Sequence, residues 1–213
     1  KEALYFDPKL INESFLKPIL NKQLQIEAHL NGSLAALNIP HLFISDNVGN
    51  LLQVNGSIAH VTDIKKLSAN LNILQLHSGN KPVRSWLQPN MLPKNFQLPK
   101  QFFLTGFIKG GLAQLQTSLQ LNSTSGNLQL KARLEQITDK NKAHYDATFN
   151  TTDLHAGELT GDTSLGIISA NGSLAGHSFN PDIMDAKAQL QIDKLEYNHY
   201  VYQGINMDAS IAK

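Results

Sequence analysis

Histidines and carboxylates are the residues of this sequence whose side chains could support metal binding or acid–base catalysis. The chain has eight histidines, and the closest local pairing of a histidine with a carboxylate is His155 with Glu158. The sequence has no His-Glu-x-x-His motif, and no second cluster lies at ligand spacing from this pair. His29 and His144 alternate with apolar residues, which predicts solvent-facing positions on strands. We therefore predict no metal site and no cofactor.

Nucleophilic and hydrolytic chemistry has equally little support. The serine of ANGSLAG, residues 170–176, lies between small residues but does not fit the Gly-x-Ser-x-Gly pattern of a nucleophile elbow. Asp182 and Asp185 lie near Pro181, where a turn is a simpler interpretation than a catalytic carboxylate pair. The chain has no cysteine, which excludes disulfides, thiolate catalysis and cysteine-ligated zinc. We predict that the protein is not an enzyme.

The composition of the chain limits the classes of protein to which it can belong. Charged residues make up 16% of the chain and the net charge is +1, so the extended Lys/Arg surface of a nucleic-acid-binding protein is not expected. The hydrophobic fraction of 41% indicates a folded protein instead of a disordered one. No stretch reaches the roughly 18 apolar residues that a membrane-spanning helix requires. The given sequence begins abruptly and does not open with a signal-peptide pattern, and we expect it to be a piece of a longer protein.

Alternation of apolar and polar residues is the dominant pattern. It runs through LQIEAHLN at 24–31, and it continues on both sides of the turn-rich NSTSGN at 122–127. This alternation predicts antiparallel strands with one apolar and one polar face. The predicted fold class is mainly β, a long curved antiparallel sheet curled into an open trough with one or two short helices.

Two segments interrupt the alternation. Asp7-Pro8 is a helix start signal followed by apolar residues at helical spacing, which predicts a helix at about 8–18. Several prolines between residues 82 and 99 predict a second short helix at about 83–91 and an irregular crossover. We place a boundary near residue 95, between a first β-rich repeat over 1–95 and a second over 96–213. We expect both repeats to share one continuous sheet.

A short phrase recurs as LNGSLAA at 30–36, VNGSIAH at 54–60, IKGGLAQ at 108–114 and ANGSLAG at 170–176. Alternation places its glycines on the apolar face: Gly32, Gly56, Gly110 and Gly172. Glycine inside a strand marks a bulge, a bend or a close approach of backbones. An Asn-Gly hairpin turn is the alternative. We favour sheet bends within strands, because Lys-Gly-Gly at 109–111 fits a two-residue turn less naturally.

The order of these segments carries a resemblance. The succession FLKPIL, LQIEAHLNGSLAALNIPHLFISDN, LLQVNGSIAHVTDIKKLSANLNI and FFLTGFIKGGLAQLQTSLQLN resembles the TamB branch of the AsmA-like superfamily. The closing LEYNHYVYQGINMDASI is similar to that family's strand hairpin, with Tyr200, Tyr202, Ile205 and Met207 at matching places. The resemblance covers nearly the whole chain, although each motif alone has low specificity.

The resemblance implies a periplasmic segment of a long envelope protein that is anchored in the inner membrane elsewhere. Members of the family form a long sheet curled into an open trough, the β-taco, whose apolar lumen is thought to conduct phospholipid between the two membranes. The implied partners are phospholipid acyl chains and a TamA-like outer-membrane barrel, the latter bound through parts of the protein outside this segment. Nucleic acid is not among the expected partners.

Apolar side chains of the alternating strands are therefore predicted to line a lipid groove. Leucine is far commoner than valine and aromatic residues are few, which suits a smooth aliphatic wall but also an ordinary core. The predicted lining residues are Leu24, Ile26, Leu30, Leu71, Ile73, Leu119, Leu121, Leu128, Leu130, Leu190 and Ile192. Two alternatives stay open: a scaffold that assists assembly of outer-membrane proteins through an exposed strand edge, and a closed β-sandwich spacer or glycan-binding module.

Overall fold

The computed structural model describes residues 23–86 and 95–212. These residues form eleven strands and two short helices. The strands are β1 (Leu24–Ser33), β2 (Ala36–Asp46), β3 (Leu51–Ala59), β4 (Ser68–Ser78), β5 (Phe102–Gly111), β6 (Gln114–Ser123), β7 (Gly126–Glu135), β8 (His144–His155), β9 (Leu165–His177), β10 (Asp185–Tyr197) and β11 (Tyr200–Ile211). The helices are α1 (Asn80–Arg84), between β4 and β5, and α2 (Ala156–Thr160), between β8 and β9.

All eleven strands belong to one antiparallel sheet whose spatial order is the chain order, from β1 to β11. Each strand pairs with its predecessor and its successor, and β1 and β11 form the two outer edges, so the sheet is open and not closed into a barrel. The predicted fold class, a mainly β open antiparallel sheet with short helices, is confirmed. The division into two repeats near residue 95 stays a prediction; β4 and β5 pair on either side of it.

The helices differ in place from those predicted. The observed helix α1 begins at Asn80, earlier than the helix expected at about 83–91, and the two share only Val83 and Arg84. Residues 87–94 and the helix expected at about 8–18 lie outside the described residues. The sequence analysis missed α2. Its one local signal is Gly161, which follows the last helical residue in the left-handed conformation that glycine adopts at helix ends.

Two irregularities in strand pairing keep apolar residues on one side of the sheet. The register shifts between Ile39 and Leu42 in β2, and again between Ile73 and Leu76 in β4. Residues three apart in a regular strand point to opposite faces. The extra residue of each bulge brings the second apolar residue back to the face of the first. The first bulge contains Pro40, which has no N–H to donate to a neighbouring strand.

The sheet is a single layer with a very small core. Among the described residues the buried apolar side chains are few, and half of them are alanines: Ile39, Val54, Phe102, Ala143, Tyr145, Ala156, Ala170 and Ala186. Strands pack against their sheet neighbours, and the one other substantial contact between the described elements joins α2 to β9. Backbone ladders and cross-strand side-chain pairs, not burial between layers, therefore hold this part of the chain together.

Gly56 shows how closely the backbones approach in this sheet. It lies in the middle of β3 with φ +135°, a conformation that residues with a Cβ rarely adopt. A Cβ added there would collide with the carbonyl oxygen of Asn70 on β4. Both the backbone conformation and the space around it therefore require glycine.

Replacing Gly56 by Ala is expected to lower the free energy of unfolding by at least about 2 kcal/mol, because the new methyl group must displace a paired strand. Gly204→Asn is the matched control. Its φ of +65° lies in the left-handed region that asparagine tolerates, and nothing lies within 4 Å of its added Cβ. Denaturant unfolding followed by circular dichroism measures both. Equal stabilities for the two variants would contradict this account of β3.

Candidate functional site

The candidate functional site is the apolar face of the sheet. Residues directly opposite each other on neighbouring strands point to the same side, so the register carries one side chain to the next across the whole sheet. One resulting row consists of Ala28, Leu42, Val54, Ile73, Gly106, Leu119, Leu130, Phe149, Gly172, Leu190 and Met207. The next consists of Ile26, Ile44, Leu52, Leu76, Leu104, Leu121, Leu128, Thr151, Ala170, Ile192 and Ile205.

A third row lies on the other side of the first. From β2 to β11 it consists of Ile39, Gly56, Leu71, Ile108, Thr117, Ala132, Ala147, Leu174, Ala188 and Ala209. On β1, Leu30 lies beside this row, at the register shift between His29 and Asn31. Thr117 and Thr151 are the polar members of the three rows. The apolar face therefore runs unbroken from one edge of the sheet to the other. Eleven strands spaced about 4.8 Å apart make this distance roughly 48 Å.

All the predicted lining residues lie on the apolar face. Ile26 and Leu30, on the edge strand β1, are 54% and 51% exposed, because β1 has a sheet neighbour on one side only. The other predicted residues, from Leu24 to Ile192, are half-buried. Their sheet neighbours shield the flanks of each side chain, and none of the described elements forms a layer on top. Their role as the lining of a lipid groove stays a prediction.

The four glycines of the recurring phrase also lie on this face and inside strands. Gly32 is opposite Leu37, Gly56 opposite Leu71, Gly110 opposite Leu115, and Gly172 opposite Leu190. The first hairpin turns at residues 34 and 35, after Gly32, so the hairpin-turn alternative does not describe these positions. That they bend the sheet stays a prediction.

Sequence reasoning overlooked Gly106, which belongs to the same set. It lies in β5 with φ +141°, opposite Leu119. An added Cβ would collide with the Ser118 carbonyl oxygen. The signal was present, because Gly106 falls on the apolar parity between Leu104 and Ile108, but the recurring Asn-Gly phrase is missing there.

The opposite face of the sheet is polar. One of its rows contains Thr105, Gln120, Gln129, Asn150, Asn171, Gln191 and Asn206. Amides of adjacent strands bond to each other, as where Asn72 Nδ2 donates to Asn55 Oδ1 over 2.8 Å. His77 and Phe103 form an aromatic exception, stacked with ring centroids 4.4 Å apart. Water solvates this face readily, so the two faces differ strongly in what they require as a neighbour.

The strand ends that carry α1 are held by hydrogen bonds around Asp46. Its carboxylate accepts bonds from the backbone N–H and the side-chain amide of Asn50, at 2.9 and 2.8 Å, and from Trp86 Nε1, at 2.8 Å. The Asn50 amide also donates to the Pro82 carbonyl oxygen over 3.0 Å. These bonds join the β2–β3 turn to the crossover. Burial opposes ionisation of Asp46, but the bonds from Asn50, Val48 and Trp86 outweigh it and lower the pKa of this carboxyl.

The histidine–carboxylate pair noted in the sequence lies at the same end of the sheet. Ser125 Oγ donates to Glu158 Oε2 over 3.1 Å, and His155 Nδ1 is 3.8 Å from the same oxygen. The carboxylate lies between the hydroxyl and the imidazole, whereas activation of a serine nucleophile requires a hydrogen bond from the hydroxyl to the imidazole.

The described ranges hold no group of three or more His, Cys, Asp or Glu arranged to bind a metal. Within the same ranges, no helix has the length and apolarity to span a membrane.

Replacing Asp46 by Asn is expected to lower the free energy of unfolding by about 1 to 2 kcal/mol at pH 7, because the network loses its charged acceptor. Folding lowers the pKa of the Asp46 carboxyl. The ionised carboxylate therefore stabilises the folded chain at pH values above its ordinary pKa of 3.8, and this contribution is lost as the pH falls below that value. Denaturant unfolding at pH 7 and at about pH 3 measures the difference, which should narrow in acid. Asp208→Asn, on the polar face of β11, is the control. A pH-independent difference would show that the charge of Asp46 plays no part.

Comparison of the chain with protein-family models, with curated proteins and with solved structures finds no match.

Proposed function

We propose that this chain is a segment of a lipid-transport bridge, and that its apolar face offers a groove to phospholipid acyl chains. The observation that carries the proposal is the unbroken apolar face, over which the described residues form no second layer. An amphipathic sheet must cover its apolar side with another sheet, a helix, itself or a ligand. Exposed apolar surfaces of this extent mark interaction sites in soluble proteins.

The energetics of moving a lipid favour a continuous wall. Burying one methylene contributes about 0.8 kcal/mol, so a chain of about 16 carbons in water costs on the order of 13 kcal/mol. A lipid that left one membrane without cover would face this whole barrier. Along the apolar face the surroundings of the tail repeat at every strand, about every 4.8 Å. Each step then exchanges one set of aliphatic contacts for a similar set.

The composition of the three rows fits a passage better than a specific binding pocket. Specific pockets combine an apolar lining with a few fixed polar groups that orient the ligand. The rows contain mostly leucine, isoleucine, alanine and glycine, with one valine, one phenylalanine and one methionine, and Thr117 and Thr151 are the polar members. Each residue solvates a hydrocarbon in the same way. No single lining residue is therefore expected to be essential.

The resemblance to the TamB branch supplies the cellular setting of the proposal. On that basis the segment lies in the periplasm as part of an inner-membrane-anchored protein and serves outer-membrane biogenesis. A TamA-like barrel would bind through other parts of the protein. Because the comparisons find no match, this setting depends on the order of segments in the sequence alone. The binding of acyl chains has separate support from the apolar face.

A second candidate function depends on the edges of the sheet. The backbone groups on the outer sides of β1 and β11 have no strand partner in the described part of the chain. Such edges can pair with a strand of another protein, as a scaffold for outer-membrane protein assembly would require. This function predicts peptide cross-links along the edges. The third alternative required a closed β-sandwich, whereas the described strands form one open sheet.

The lipid proposal predicts different effects for two changes at Leu121, in the middle of the apolar face. Leu121→Asp places a charge against the hydrocarbon and is expected to weaken binding of a fluorescently labelled phosphatidylethanolamine by about tenfold or more. Leu121→Ala removes only part of one contact and should weaken it a few-fold. In the full-length protein, transfer between vesicles should follow the same order.

Gln120→Asp is the matched control for Leu121→Asp, because it adds the same charge one residue away on the polar face. It should bind labelled lipid as the unchanged chain does, and circular dichroism verifies that all variants keep the sheet. Normal binding and transport by Leu121→Asp would overturn the assignment of the apolar face.

A further inference from the structure

Toward one corner of the sheet, the side chains of the apolar face become smaller. In the third row, β2, β4 and β5 contribute large side chains, Ile39, Leu71 and Ile108. The same row continues as Ala132, Ala147, Leu174, Ala188 and Ala209 on β7 to β11. The adjacent row there contains Gly176 opposite Ala186. Methyl groups and hydrogen atoms replace branched side chains, so the floor is lower at this corner.

Larger side chains stand around this low floor. The alanines of β8, β10 and β11 form the floor of a cavity. Its walls are the side chains of Leu134, Tyr145, Leu174, Phe179, Met184 and Ile211. Phe179 comes from the loop between β9 and β10 and stacks flat on Tyr145, with ring centroids 5.1 Å apart and planes 7° apart. We call this cavity the alanine seat.

The wall that carries Phe179 is fixed by hydrogen bonds between two neighbouring loops. Ser178 N–H donates to the Ala143 carbonyl and Phe179 N–H to the Lys140 carbonyl, each over 2.7 Å. The Asn180 amide donates to Asn141 Oδ1 over 3.0 Å, and Ser178 is fully buried. The seat is thus a preformed cavity and not a gap beside a loose loop.

Volume and hydrogen bonding together restrict what can occupy the seat. Its volume is about 470 Å³. A methylene is about the size of one water molecule, whose share of liquid volume is about 30 Å³, so the seat is large enough for a stretch of hydrocarbon chain. The backbone groups of β8, β9 and β10 pair with strands on both sides, so an inserted peptide would find no partners for its own N–H and C=O groups. The raised Phe179 wall also prevents a flat second sheet from reaching the floor.

We propose that the alanine seat binds a single acyl chain, as a resting position on the apolar face. This inference rests on the proposed function and adds a defined site to it. The seat reaches the free edge strand β11 at Ala209 and Ile211, so a tail can enter from that edge while its polar headgroup stays in water.

Filling the seat tests the inference. Ala188→Phe places a ring over the floor, and loss of contact with only two methylenes should weaken binding of a fluorescent 16-carbon fatty acid about tenfold. Ala175→Phe is the matched control, an exposed alanine on the polar face of β9, and it should retain the affinity of the unchanged chain.

Ala209→Leu is a second variant in case Ala188→Phe does not keep the sheet by circular dichroism. It fills the same cavity from the edge strand, where one side is open. Equal affinity of the folded seat variants and of Ala175→Phe, together with a loss in Leu121→Asp, would overturn the seat and leave the conduit intact. Absence of any fatty-acid or phospholipid binding by the unchanged chain would overturn the proposed function itself.

Discussion

The structure depends on one constraint: an eleven-stranded sheet has an apolar side that no other layer of the described chain covers. In ordinary domains, burial between layers supplies most of the favourable free energy of folding. Here the buried apolar residues of the described chain are few, and half of them are alanines. The strand ladders, the loop contacts at the strand ends and glycines such as Gly56 hold the sheet, and they leave its apolar side free to meet a partner.

This separation explains how the apolar face can be both extensive and chemically uniform. A core residue must fit its neighbours on every side, so its size and shape are restricted. Leu121 and Leu190 have neighbours within the sheet but none of the described elements above them. Their size can therefore suit a mobile hydrocarbon instead of a fixed partner. The same freedom allows alanines such as Ala188 to create a low floor at one corner without disturbing strand pairing.

Much of the sheet could be predicted from alternation alone. It places Leu24 to Leu30 and Leu119 to Leu134 on one face, and the register agrees. The bulges could not be predicted, because Ile73 and Leu76 have opposite parity in a regular strand and share a face only after pairing inserts an extra residue. The alanine seat was also missed. Ala147, Ala188 and Ala209 are far apart in the chain, and their adjacency is a property of the register.

Photocrosslinking in cells tests the central claim most directly. A photoreactive residue at Leu121 or Leu190, on the apolar face, is compared with one at Gln120 or Gln191, on the polar face of the same strands. If acyl chains cover the apolar face, phospholipid adducts form at the leucine positions and are much weaker at the glutamine positions. Equal lipid labelling of both faces, or peptide adducts alone at Leu121 and Leu190, would contradict this account.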